Sequence, residues 1–323
     1  MAWNSTTPDN ILPSFMNNNV RSEVSVPSDA HNSVVSALRA NAALGSGDEF
    51  DIAVARAGLE AMTGDTVLPE GTECETISIG GIKTEWIRVP NSDATKVVLY
   101  LHGGGYALGS IDTHRGLGAR IAEASGCVVL MPDYRLAPET PFPGAVEDGT
   151  AAYLFLLEQG IKAESIAIGG DSAGGGLTFA TLVNLRDQGH PLPAAAFTLS
   201  PWVDMEGLGD SMESRAAADP MIQKDGLARF AQMYLGDADP RSPLAAPLYA
   251  DVSGLPPTLI QVGTAEVLLD DAVRIEARLR ESGGSVVLEQ YEDLIHVFQA
   301  FAPIVPESVE AIGKIGAFVK SHL

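Results

Sequence analysis

From Lys96 onward the sequence keeps switching between two hydrophobic periods, and that switching limits the architecture more than any other feature. Short apolar stretches of strand character run from Lys96 to Leu101, Cys127 to Met131, Ser165 to Gly169, Ala194 to Leu199, Thr258 to Val262 and Ser285 to Tyr291. Between them lie segments of helical spacing: Arg115 to Ser125, Gly144 to Gln159, Ala173 to Gln188, Asp271 to Arg280, and a last one from about Val297 onward. Apolar strands joined by amphipathic helices specify an α/β fold, a mostly parallel sheet covered on both faces. Ahead of this pattern, Glu73 to Ile79 and Lys83 to Val89 are joined by Gly80-Gly81, a hairpin signal that adds antiparallel strands at one edge.

Two segments break the alternation. Residues 1 to about 50 are polar at first and then carry helical spacing through Val34, Val35, Leu38 and Ala42, followed by a second helical stretch from Phe50 to Met62. Asp204 to about Leu255 holds several prolines and helical spacing at Leu227, Phe230, Met233 and Tyr234, and reads as a lid-like insertion. The expected organisation is a helical cap segment over 1–50, the α/β domain over 51–203 and 256–323, and a cap insertion over 204–255.

Twenty Lys and Arg against 42 Asp and Glu give a formal charge of −22, a field that repels nucleic-acid backbones and anionic lipid surfaces. No apolar run is long enough to cross a bilayer and no signal-peptide pattern opens the chain, so a soluble, cytoplasmic protein is expected. Cys74 and Cys127 fall in separate strands and read as two buried thiols without a disulfide.

Gly170-Asp171-Ser172-Ala173-Gly174 stands between a strand and a helix. A G-x-S-x-G match arises by chance roughly 0.2 times in such a chain, so the pentapeptide alone says little. Its setting is what a nucleophile elbow demands: a tight turn presents the serine, small neighbours let strand and helix pack, and the helix N-terminus faces developing negative charge. His102-Gly103-Gly104-Gly105 follows the strand ending at Leu101, and its uncovered N–H groups suit an oxyanion hole together with the N–H of Ala173. A phosphate loop is disfavoured because no Gly-Lys-Ser/Thr follows and the chain is acidic.

A triad in the order serine, acid, histidine leaves only His296 as base. His31 and His322 lie in terminal segments, His190 follows a helix end, and His102 and His114 precede the elbow. Glu266 and His296 both fall at C-terminal strand ends, the edge where open α/β sheets bind ligands. Asp270 and Asp293 compete with Glu266 as acid, although Asp270 opens a helix, where carboxylates cap. Tyr106, Asp171, Trp202, Val203, Met212, Tyr234, Val297 and Phe298 are candidate pocket walls, the apolar ones equally readable as core. The chemistry calls for no metal or cofactor.

Four motifs, His102-Gly103-Gly104-Gly105-Tyr106, Asp133-Tyr134-Arg135-Leu136-Ala137-Pro138-Glu139, Gly170 to Gly174, and Asp293-Leu294-Ile295-His296, resemble the hormone-sensitive-lipase-like branch of the α/β-hydrolases, the bacterial family IV esterases. The resemblance runs from about residue 72 to the C-terminus. It implies an eight-stranded sheet, a cap built from the N-terminal helices and the insertion, Gly103 and Gly104 as oxyanion donors, and frequent homodimers. The implied activity is a serine carboxylesterase acting on small-molecule esters of short to medium acyl chain through an acyl-enzyme. Glu266-Val267-Leu268 stands where the family usually has Asp-Pro-Leu, a variant resembling monoterpene lactone hydrolases, so a lactone hydrolase with the same triad is an alternative. A ligand-binding protein on this fold is opposed by the presence of His296; a lyase on the same scaffold stays open. The Asp133 to Glu139 motif carries no evident chemistry and reads as a turn fixed by Pro138, with Arg135 and Glu139 in a buried polar pair.

Overall fold

The strand Asp93–Leu101 shows why the sheet is buried on both faces: Val97, Leu99 and Leu101 enter one hydrophobic core, while Val98 and Tyr100 enter the other. All five are fully buried, so the two-residue period of the strand feeds both layers of helices. The protein is described by a computed structural model over residues 20–21, 26–44, 50–63 and 66–323. The polar opening expected over the first residues lies mostly outside the described residues.

In chain order the elements are β1 (Val20–Arg21), α1 (Asp29–Leu44), α2 (Ile52–Thr63), β2 (Glu73–Ile79), β3 (Ile82–Arg88), β4 (Asp93–Leu101), α3 (Ile111–Ser125), β5 (Cys127–Pro132) and α4 (Gly144–Glu158). They continue with β6 (Ile166–Asp171), α5 (Ala173–Asp187), β7 (Ala195–Leu199), α6 (Ser211–Ser214), α7 (Lys224–Leu235), β8 (Thr258–Gly263), α8 (Leu269–Glu281), β9 (Val286–Tyr291) and α9 (Pro306–His322). The sheet order is β1-β9-β8-β7-β6-β4-β5-β3-β2. Every pairing from β5 through β1 is parallel, and β2 and β3 form the antiparallel hairpin, closing from Ile79 to Ile82 around the two glycines. The eight expected strands are all present; the two-residue β1 adds a ninth at the far edge, too short to leave a periodic signature.

α3 and α9 cover one face, their Ile121, Ile312, Ile315 and Val319 meeting the outer side chains of β4 and β5. α4, α5 and α8 cover the other, together with Trp202, Val203, Met212 and Tyr234 of the segment after β7. α1 lays Val34, Val35 and Leu38 against Leu294, Ile295 and Phe298, so the first helix packs beside the loop carrying His296.

Several expectations give way here. The last helix begins at Pro306, not near Val297: Val297 adopts a left-handed conformation, a short 3₁₀ turn spans Phe298–Phe301, and Pro306 takes the first helical turn, where its missing N–H costs nothing. α3 starts four residues earlier than the apolar spacing indicates, because Ser110 and Thr113 form a reciprocal capping box. Both cysteines are free, yet only Cys127 is buried; Cys74 lies on the outermost strand β2, whose face is solvated. Arg135 and Glu139 do not pair. Arg135 forks onto Asp148 at 2.7–3.0 Å and reaches Glu147, while Glu139 binds Arg56 of α2, and neither is buried.

Candidate active site

Ser172 sits between β6 and α5 with φ 52° and ψ −119°, a strained backbone for a non-glycine residue. The turn tolerates it because strand and helix close to backbone contact: a Cβ on Gly170 or Gly174 would overlap the carbonyl oxygen of Leu101. The Ser172 N–H donates to the Leu199 carbonyl at 2.8 Å, which ties the elbow to the neighbouring strand end.

Three strand-end loops converge on this serine. His296, after β9, places Nε2 3.0 Å from Ser172 Oγ, and its Nδ1 lies 3.2 Å from Glu266 Oε1, after β8. A carboxylate only accepts, so Nδ1 carries the proton and Nε2 is left to accept from the serine hydroxyl. Ser172, His296 and Glu266 are all buried. Burial pulls the His296 pKa down, but the hydrogen bond and charge of Glu266, joined by Asp219 and Asp171, more than reverse this and leave it above 6.5. Neither rival acid meets His296 Nδ1, which faces Glu266: the Asp270 carboxylate accepts the Ser211 N–H at 2.9 Å, and Asp293 is anchored through its backbone N–H to Thr264 at 2.8 Å.

Ser200, which the sequence reading overlooks, joins the three loops. Its hydroxyl donates to Glu266 Oε2 at 2.8 Å and accepts the Val297 N–H at 3.1 Å, while the Gly263 N–H also reaches Glu266 Oε2 at 3.1 Å. The only sequence signal was a serine directly after strand Ala194 to Leu199, at the same edge as Glu266 and His296.

The glycine loop corrects one assignment. The Gly103 N–H is not free, because it donates to Asp171 Oδ1 at 3.1 Å. Among the described residues, the N–H groups of Gly104, Gly105 and Ala173 meet no protein acceptor. Each belongs to a peptide held by its carbonyl. Gly103 O accepts from His102 Nδ1 at 2.8 Å, Gly104 O from Ala107 and Leu108 N–H at 3.1 and 2.8 Å, and Ser172 O from Trp202 and Gly176 N–H at 2.9 and 3.1 Å. Gly104 has φ +117°, and a Cβ there would overlap the Leu108 carbonyl, so only glycine fits this turn.

Asp171 is likewise scaffold and not pocket wall. Buried, it accepts from Tyr100 Oη at 2.8 Å and from Gly103, and faces His114 Nε2 at 3.3 Å. The Asp133 to Glu139 motif supports the same loop: Tyr134 stacks on His102 and donates to its carbonyl at 2.8 Å, and the Ala137 N–H donates to Tyr106 O at 2.8 Å. Of the other candidate walls, Tyr106 stacks on Tyr234 with ring centroids 3.7 Å apart, Trp202 donates to Asp204 O at 3.0 Å, and Val203, Met212, Val297 and Phe298 are buried in the cores. Phe230 of α7 lies over the glycine loop, its ring 2.9 Å from where a Cβ on Gly105 would stand.

A family model described as alpha/beta hydrolase fold matches residues 98–300. An acetyl-hydrolase of Streptomyces hygroscopicus is 44% identical over 258 residues, 80% of this chain and 85% of the relative. Carboxylesterase NlhH of Mycobacterium tuberculosis is 33% identical over 287 residues, 84% of this chain and 90% of that protein. A solved esterase from the bacterial hormone-sensitive lipase family aligns with TM-score 0.89 at 46% identity, covering 92% of this chain and 99% of its own. EstE5, solved after soaking with p-nitrophenyl butyrate, aligns with TM-score 0.88 at 45% identity over 91% of this chain and 99% of its own. The strand-end serine, the glycine loop and these relatives agree: the chain belongs to the bacterial hormone-sensitive lipase family of α/β-hydrolases and is a carboxylic ester hydrolase.

Proposed function

We propose that the chain hydrolyses short- to medium-chain carboxylic esters through an acyl-enzyme on Ser172. The observation that carries this reading is the continuous line from Ser172 Oγ through the His296 ring to Glu266, at 3.0 and 3.2 Å. His296 Nε2 takes the hydroxyl proton as Oγ attacks the ester carbonyl, and Glu266 holds the imidazolium that forms. The tetrahedral oxyanion is met by the N–H groups of Gly104, Gly105 and Ala173, each donor contributing about 3–4 kcal/mol. His296 then protonates the departing alcohol, leaving the acyl group on Oγ. Water enters, gives its proton to the same nitrogen, and releases the acid with the serine restored.

The preference for modest acyl chains is supported by Phe230 lying across the glycine loop and by EstE5 having been soaked with a butyrate ester. α1, α2 and the segment 204–255 form the cap in this reading, and the active species is a homodimer, checked by light scattering. No helix among the described residues is long and apolar enough to cross a membrane. The test is turnover of p-nitrophenyl acetate, butyrate and longer esters, with a lactone panel alongside, and labelling by a fluorophosphonate. Turnover falling with chain length and labelling lost in Ser172→Ala support the proposal. Labelling that persists in Ser172→Ala, or faster turnover of lactones than of any linear ester, contradicts it.

A further inference from the structure

We infer that Arg56, on α2, is a positioning residue for the oxyanion hole, holding the Gly105 N–H in place through two intervening peptide units. The inference rests on the reading of Gly105 as an oxyanion donor. Arg56 Nε donates to the Ala107 carbonyl at 2.8 Å. The N–H of that same peptide, on Leu108, donates to the Gly104 carbonyl at 2.8 Å, and the N–H of the Gly104 peptide is that of Gly105. Peptide units are planar, so fixing the carbonyl of each fixes the direction of its N–H. A chain of aligned hydrogen bonds also polarises along its length, and this one begins at a permanent cation and ends where negative charge develops.

The guanidinium is itself held from several sides. Its NH2 group donates to the Ala137 carbonyl at 2.9 Å, and the fork grips Glu139 at 2.7 and 2.8 Å. Arg56 therefore joins α2, the glycine loop and the Asp133 to Glu139 motif at one point. α2 has no fully buried residue. Its polar attachments to the body include Arg56 and Glu60, which accepts from Ser110 Oγ at 2.5 Å. Moving α2 must release the turn from Gly104 to Leu108.

Four proteins test this: wild type, Arg56→Met, Arg56→Lys and Glu139→Gln, each assayed for kcat and KM on p-nitrophenyl butyrate, inhibition by an alkyl trifluoromethyl ketone, and thermal midpoint. Arg56→Met keeps the stem length and removes every donor. We expect its kcat to fall about tenfold, well short of the ~100-fold of losing a donor outright, with the ketone weakened by the same factor. KM stays within about twofold, since the ground-state ester does not need the oxyanion donors. Arg56→Lys, which cannot fork to three acceptors, falls between, and Glu139→Gln, which leaves both backbone bonds, stays within about twofold of wild type.

Unchanged kcat and ketone affinity in Arg56→Met and Arg56→Lys would overturn the inference, as would a loss that follows the folded fraction alone. If Arg56→Met does not fold, Arg56→Lys decides by the same kcat and ketone readings. Wild type that turns over no ester overturns the active-site reading instead, so the two failures are distinguishable.

Discussion

Replacing Ser200 by alanine removes one oxygen atom and two buried hydrogen bonds. The first, to Glu266 Oε2 at 2.8 Å, is charge-assisted and contributes roughly 1.5–3 kcal/mol. The second satisfies the Val297 N–H at 3.1 Å, and stranding a buried N–H costs roughly 1–3 kcal/mol. Allowing for relaxation, the loss is about 3 kcal/mol, a fall of about 4–5 °C in thermal midpoint for a chain of this size. The carboxylate keeps the Gly263 N–H at 3.1 Å, so it loosens without being lost, and kcat should drop about tenfold. Ser200→Gly separates the two effects. Ser200 has φ +48°, so glycine relieves backbone strain and recovers about 1 kcal/mol of stability, yet it supplies no hydroxyl and leaves kcat as low as in the alanine variant. Thermal unfolding and hydrolysis of p-nitrophenyl butyrate measure both. Wild-type kcat in Ser200→Ala, or kcat that recovers together with stability in Ser200→Gly, refutes the claim that this hydroxyl holds the acid and the base loop together.

Two further perturbations follow from the charges. His296 must be neutral to accept a proton and its pKa lies above 6.5, so kcat/KM should rise with pH along a limb centred above that value. Glu266→Gln removes the principal raising influence, and the residual activity, about 10⁴-fold lower, should titrate at lower pH; an unmoved limb would mean the base is not coupled to Glu266. Asp271 is fully buried, accepting the N–H groups of Val203 and Asp204 at 2.9 Å each, and burial foremost drives its pKa up to about 7. The folded protein thus keeps a proton that the unfolded chain gives up from about pH 4, so stability falls as pH rises from about 4 to 7 and the cost persists above. Asp271→Asn retains an acceptor for both N–H groups and should be more stable by a few kcal/mol at pH 8 with little change near pH 4, as read from urea midpoints; equal midpoints at pH 8 would count against a protonated Asp271.

The residues whose environment is set by the strand pattern were readable from the chain alone. Ser172, Glu266 and His296 each follow a parallel strand, and periodicity locates strand ends well enough to bring three distant positions to one edge. What the pattern misses depends on partners far away in sequence. Which glycine N–H stays free is decided by the Asp171 carboxylate, sixty-eight residues from Gly103, and nothing in the tetrapeptide signals that claim. Arg135 and Glu139 look like partners because they are near in sequence, but a fork onto Asp148 and another from Arg56 satisfy each better. Val297 illustrates a third case: its left-handed backbone stops the helical spacing from becoming helix, and its N–H is held by Ser200. The apolar spacing from Phe50 to Met62 predicts α2 as a helix, while its role as carrier of Arg56 emerges only from the contacts it makes.

The central claim, an acyl group carried on Ser172, is tested most directly by acid-quenching the enzyme within its first turnovers of p-nitrophenyl acetate and mapping the adduct by peptide mass spectrometry. An acetyl group is expected on the peptide containing Ser172, formed with a burst of nitrophenol and absent from Ser172→Ala. Steady turnover with no adduct on Ser172, or an adduct that survives the alanine substitution, would contradict it.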